Sequence, residues 1–150
     1  MPQSLVKNYV HLVWSTKNRQ PFIDKNIKDE LYAYMASISN NLESHVLQIG
    51  GVEDHIHILC LLSRKIAMMK LVEEVKSHSS KWIKTKGDNY QNFYWQNGYG
   101  GFSVNPKEIE VVKKYIGNQE EHHKKRTFKE EYRMFLNQYK MEFDERYVWD

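Results

Sequence analysis

The sequence predicts an α+β fold: a ferredoxin-like split βαβ antiparallel sheet with helices on one face and additional C-terminal helices. Three observations lead to it. Four segments carry strand character, and the second and third are joined tightly enough to read as a hairpin. Stretches with apolar residues at helical spacing fall between the first and second strands and between the third and fourth. Two well-signed helix starts follow the last strand. The order is β α β β α β α α.

The first strand, "LVKNYVHLVWST", alternates Val10, Leu12 and Trp14 with Tyr9, His11 and Val13, the pattern of a strand in a largely covered sheet. After Pro21, Asp24 is placed to cap a helix on which Ile27, Leu31, Tyr34, Met35, Ile38 and Leu42 form one stripe. "HVLQIGG" is the second strand, and a turn near Val52 to Asp54 leads into the third, "HIHILCLL". From about Ile66 to Lys84 the spacing is helical, with Met68, Met69, Val72, Val75 and Trp82 marking the inner side and most lysines elsewhere on the cylinder. "NFYWQNGYGGFSV" returns to strand character, and Gly98, Gly100 and Gly101 predict an irregular or bulged course. Asn105 as cap, Pro106 at the first helical position and Glu108 three residues after the cap start the next helix. Thr127 and Glu130 match a capping box for the last, whose stripe is Phe128, Tyr132, Phe135 and Tyr139.

A chain of 150 residues with no repeat, low-complexity tract or Pro/Gly/Ser-rich linker reads as one domain. The net charge is only +3, but seven basic residues (Arg64, Lys65, Lys70, Lys76, Lys81, Lys84 and Lys86) crowd between Ser63 and Gly87 against Glu73 and Glu74. Such a patch suits a polyanion, and is equally the solvated face of an amphipathic helix. Cys60 is the only cysteine, which excludes an internal disulfide or a zinc site built on cysteines. With no apolar run long enough for a signal or membrane segment, a cytoplasmic protein that makes no membrane contact is the expectation.

The third strand carries the chemistry. Strand alternation places His55 and His57 side by side on one face with Leu59 and Leu61, while Ile56, Ile58, Cys60 and Leu62 take the other. Two neighbouring imidazoles on a rigid backbone can share a cation; in a plain core each ring nitrogen would need a hydrogen-bond partner. Both readings stand at this point. In the helix after Pro106, Tyr115, Gln119 and His122 fall on one face, beside an apolar line of Ile109, Val112 and Ile116 that can pack inward.

Together "DHIHIL", "WQNGYGGFSV" before a helix, and "YIGNQEEHH" within it make a resemblance specific, and "HLVWSTKNRQPFI" and "YVWD" add to it. The chain resembles the single-tyrosine HUH transposases of the smallest bacterial insertion sequences, the transposase A type of the insertion-sequence two-hundred/six-hundred-five family. The resemblance implies that residues 1–150 form a single HUH-endonuclease transposase domain, with the nucleophile on the C-terminal helices. By the same resemblance His55 and His57 are metal ligands, Gln119 supplies a third ligand, and Tyr115 is the nucleophile. The implied cofactor is a divalent metal, Mg2+ or Mn2+, and manganese suits two imidazoles better. The implied partners are single-stranded DNA with hairpin ends and a second copy, in a homodimer that exchanges the tyrosine helix.

The implied reaction is cleavage and rejoining of element ends through a 5′-phosphotyrosine, which keeps the phosphodiester linkage for a second strand to attack. No general base for Tyr115 is evident from spacing; His122, the metal and solvent are the candidates to assist. Lys70, Lys76, Lys81 and Lys84 are expected to track the DNA backbone, with Tyr94, Trp95, Tyr99 and Phe102 as candidates for base stacking or for core. Two other function classes remain at this stage: a domesticated, non-cutting binder of structured DNA or RNA, and a metal-dependent phosphoesterase that uses water.

Overall fold

The computed structural model describes residues 2–150. Four strands, β1 (Tyr9–Ser15), β2 (His45–Val52), β3 (His55–Leu61) and β4 (Gly100–Ser103), form one sheet in the order β2-β3-β1-β4, with every neighbouring pair antiparallel. Between them run α1 (Lys28–Asn41) and α2 (Met68–Lys84); after β4 come α3 (Ile109–Gly117), α4 (Gln119–His123) and α5 (Phe128–Gln138). This is the predicted split βαβ architecture.

The alternation along the strands gives the sheet two different faces. Val10, Leu12, Trp14, Ile56, Ile58 and Cys60 form one core with Leu31 and Met35 of α1 and Leu71, Val72, Val75 and Ile83 of α2. On the opposite face α3 packs over Leu59 through Ile116, and α5 packs over Val13 and Phe102 through Phe128, Tyr132 and Leu136. The histidine pair belongs to this second face, so the additional C-terminal helices roof it.

Several local expectations change. Asp24 caps the turn over residues 25–27 that leads directly into α1, its carboxylate accepting from the amides of Asn26 and Ile27 (3.0 and 3.1 Å). Met69 is 68% exposed, and Leu71 and Ile83 take the inner positions instead. Trp82 lies flat on Tyr34, with centroids 5.0 Å apart. The tyrosine helix is not continuous, because Asn118 leaves helical geometry (φ −104°, ψ 25°) and divides α3 from α4. Gly100 and Gly101 are regular β4 residues paired with Val13 and Leu12. A side chain at Gly100 would press on the Phe102 ring and the Tyr132 hydroxyl, and one at Gly101 on Met68. Gly100 and Gly101 serve close packing within a strand rather than a bulge.

Candidate functional site

The site forms where β3 meets the second layer of helices. Strand pairing sets His57 opposite Val13 of β1 and Gly50 of β2, and His55 opposite Ser15 and Val52. Both imidazoles are buried, and each is oriented from behind: His55 Nδ1 bonds the Asp54 carboxylate (2.7 Å), and His57 Nδ1 bonds His11 Nε2 (2.8 Å). With both Nδ1 atoms engaged, the two Nε2 atoms face a common point, the arrangement by which outer partners orient metal-binding histidines.

Glu131 of α5 meets them there. Its Oε1 lies 2.7 Å from His57 Nε2 and 3.4 Å from His55 Nε2. Its Oε2 accepts a 2.6 Å hydrogen bond from the Tyr115 hydroxyl. Gln119 Oε1 lies 3.1 Å from His55 Nε2, so the helix break at Asn118 still leaves Tyr115 and Gln119 directed at one place. The close approach of α3 to β2 makes this reach feasible: a Cβ at Gly50 would collide with the backbone carbonyl of Ile116.

Electrostatics follow from the geometry. Burial alone would lower the His55 pKa, but its bonds to Asp54 and Glu131 overcome that and hold it up at about 9. His57, wholly buried and beside His55, is pushed down by burial against the pull of Glu131, and His11 is depressed further by burial and by His57. Burial would raise Glu131, yet hydrogen bonds from His55 and His57 keep it well below the usual carboxylate range. The proton of the cluster therefore resides on His55, and Glu131 is the counter-charge. Tyr115 is pushed up by burial and then by the Glu131 charge.

His55, His57 and Glu131 can place three ligand atoms within 4.8 Å of one another, all from buried residues. Sequence reasoning missed Glu131, although a signal existed. Phe128, Glu131, Tyr132 and Phe135 lie at i, i+3, i+4 and i+7, so a carboxylate occupies the inward stripe of α5, where an unpartnered charge would be costly. His122, a candidate to assist Tyr115, stacks on the tyrosine ring (centroids 4.5 Å, 28°), while the hydroxyl itself bonds Glu131.

The predicted DNA-binding lysines sit apart from this cluster, on α2, across the sheet. Lys76 donates to the carbonyls of Gln96, Asn97 and Gly98 (2.7, 3.2 and 2.7 Å), and burial lowers its pKa to about 8. Lys70 pairs with Glu73 and Glu74. Lys84 rests 4.2 Å over the Tyr94 ring, and Lys81 is exposed. Of the aromatic candidates only Tyr94 is open to solvent (54%); Trp95 and Phe102 are core, and Tyr99 is half-buried.

Comparison with known proteins adds the family. Residues 4–119 match the family described as Transposase IS200 like. Among solved structures, a transposase candidate from Deinococcus radiodurans R1 is similar at 20% identity and TM-score 0.62, over 79% of this chain and 98% of that one. The REP-associated tyrosine transposase bound to a REP hairpin is similar at 13% identity and TM-score 0.61, over 82% of this chain and 73% of that one. At these identities the two structures establish the fold. No curated protein matches.

Proposed function

Because the chain belongs to the IS200-like transposase family, we propose that it is a metal-dependent transposase of single-stranded DNA, cleaving and rejoining element ends through a 5′-phosphotyrosine after recognising DNA hairpins. One observation carries the reading: the histidine pair and the Tyr115 hydroxyl meet on the same buried carboxylate. Hairpin recognition is supported by the similar transposase bound to a REP hairpin.

His55, His57 and Glu131, with the amide oxygen of Gln119, would hold the divalent ion. The donor set fits. Both Nδ1 atoms are held from behind, both Nε2 atoms point at Glu131 Oε1, and the carboxylate makes the set harder than two imidazoles and an amide alone, which suits manganese or magnesium. When bound, the cation supplies Lewis-acid charge that offsets the negative charge gathering on the scissile phosphate.

The chain's own residues perform the transfer. The Tyr115 oxygen attacks phosphorus as its proton passes to Glu131 Oε2, already 2.6 Å away. The bond from the tyrosine oxygen to phosphorus forms and the bond from phosphorus to the 3′-oxygen breaks. The departing 3′-oxygen takes up the proton, and the 5′-phosphate stays on Tyr115. Attack by another 3′-hydroxyl reverses these steps and frees the tyrosine, so strands are rejoined without an external energy source.

The lysine helix lies across the sheet from this chemistry and would hold a more distant part of the DNA. Lys81 and Lys84 would follow phosphates and Tyr94 would stack on a base. The exchanged homodimer would complete each site with Tyr115 and Gln119 of a second copy. Within one chain Tyr115 and Gln119 reach Glu131 and His55, and in the exchanged dimer the partner's copies would take the same places.

The test is a denaturing gel of protein incubated with a hairpin-ended single strand, with and without Mn2+. A covalent protein–DNA adduct that requires the metal is expected. Cleavage without an adduct would make the protein a phosphoesterase using water, and tight binding without cleavage would make it a non-cutting binder.

A further inference from the structure

A cavity of about 520 Å3 opens between α3 and α5 beside the nucleophile, within the size range of small-molecule sites. We propose that it is a nucleobase site, holding the base adjacent to the scissile phosphate and favouring bases that carry an exocyclic amino group. The proposal rests on the transposase reading above and deepens it by assigning a specificity pocket.

Position comes first. His11 and Tyr115 line the cavity, and His11 is buried, whereas Val111 (62% exposed) and Tyr139 (40% exposed) lie toward solvent. The inner end is therefore the wall that carries the reacting tyrosine. A strand whose phosphate reaches the Tyr115 oxygen has its neighbouring nucleotide within reach of that opening.

Chemistry then selects the base over the backbone. Among the described residues no lysine or arginine lines the cavity, and Glu108 does, so a phosphate entering it would meet a carboxylate and no countercharge. A neutral, flat, partly apolar group meets the opposite conditions. Phe135 is held rigid, stacked on Phe102 (5.4 Å, 26°) and edge-on to His11 and Tyr115 (5.2 and 5.7 Å). The Tyr139 hydroxyl is tied to the Ser103 carbonyl (2.8 Å). Fixed aromatic walls suit stacking, which is tolerant of base identity.

Polar groups at the edge supply the selection. Asn105 uses its Oδ1 to cap the Lys107 amide (2.9 Å), which leaves its amide hydrogens to donate, and the Glu108 carboxylate can only accept. Adenine, cytosine and guanine offer an amino group to that acceptor; thymine does not. A third of the lining, Met134, Phe135, Gln138 and Tyr139, comes from α5 and its C-terminal end, beyond the 4–119 region shared with the family.

The experiment uses Tyr115→Phe protein, which keeps the ring but forms no adduct, with a hairpin-ended single strand of randomised flank carrying 5-iododeoxycytidine. After irradiation, peptide mapping should find cross-links at Phe135 or Tyr139. The corresponding 5-iododeoxyuridine strand should cross-link there several-fold less. Val111→Trp at the mouth should reduce that cross-link about tenfold, within the range expected for losing one stacked base. Strand affinity on the α2 face and the Mn2+-induced rise in Tm should stay unchanged. Tyr139→Ala is the second variant and should act in the same direction. Cross-links confined to Tyr94, or a yield at Phe135 that ignores both variants, overturn the pocket while leaving the transposase reading intact. Failure to bind the strand at all overturns that reading and the pocket with it.

Discussion

At the residue scale, Glu131 does two things that sequence spacing assigned to no residue: it closes the histidine pair and it accepts the hydrogen bond of the Tyr115 hydroxyl. Glu131→Gln keeps the shape and removes the charge. We expect Mn2+ affinity to fall by about 10- to 100-fold, read by titration calorimetry, with loss of the adduct; the magnitude is that of disturbing a histidine-based site. Unchanged affinity would remove Glu131 from the ligand set. His55 makes a second, independent prediction. Its folded pKa of about 9 lies above the ordinary 6.5, so it contributes stability that is complete below about pH 6.5 and lost as pH rises through about 9. The Tm of metal-free protein should therefore decline between pH 7 and 9. Metal affinity should rise over the same window, because the proton on His55 must leave first. A Tm that is flat or rising there would contradict the His55–Glu131 ion pair.

At the element scale, what matters is how closely α3 lies on β2. Gly50 pairs with His57 across the sheet and faces the Ile116 carbonyl, a backbone atom that cannot rotate away. Gly50→Ala should shift α3 outward and carry Tyr115 and Gln119 off the histidines. An ångström of misplacement can cost on the order of 100-fold in rate, so adduct formation should collapse while the far-UV CD spectrum stays near that of the parent. Full activity in that variant would mean that α3 docks elsewhere. On α2 the lysines divide by role. Lys76 fastens the 96–98 loop to the helix, whereas Lys81 is exposed. Lys76→Ala should lower Tm and leave the salt dependence of DNA binding nearly unchanged. Lys81→Glu should do the reverse, reducing the slope of log K against log salt by about 1 if it contacts one phosphate.

At the scale of the whole molecule, the question is which chain supplies the tyrosine. The roof of the site is one packed layer: α3 rests on Leu59, α5 on Val13 and Phe102, and the C-terminal segment locks α5 by setting Trp149 against Phe128 and Tyr132 while Arg19 binds the Trp149 carbonyl (3.0 Å). Mixing His57→Ala with Tyr115→Phe protein answers that question. With exchanged helices one site of a heterodimer inherits both defects and the other is intact, so cleavage should return, whereas a mixture shown to contain heterodimers that stays inactive would place each site within one chain.

The sequence by itself determined the order of elements, the pairing of His55 and His57 on one strand face, the caps at Asn105 and Thr127, and the family, because periodicity, capping and short motifs are local properties of the chain. Tertiary structure alone decided what covers those histidines. Glu131 is 74 residues from His57, and His11 is 46; their meeting depends on strand register and on helix docking, neither of which is encoded in any single window. The same distinction separates Lys76 from Lys81: both are lysines on one amphipathic helix, and only the loop folded against that helix turns the first into a structural donor and leaves the second facing solvent. A buried carboxylate on an apolar stripe marks where a partner must exist, but only packing of α5 onto the far face of the sheet identifies that partner as the histidine pair, because burial makes an unpaired charge so unfavourable that the fold must bring one to it.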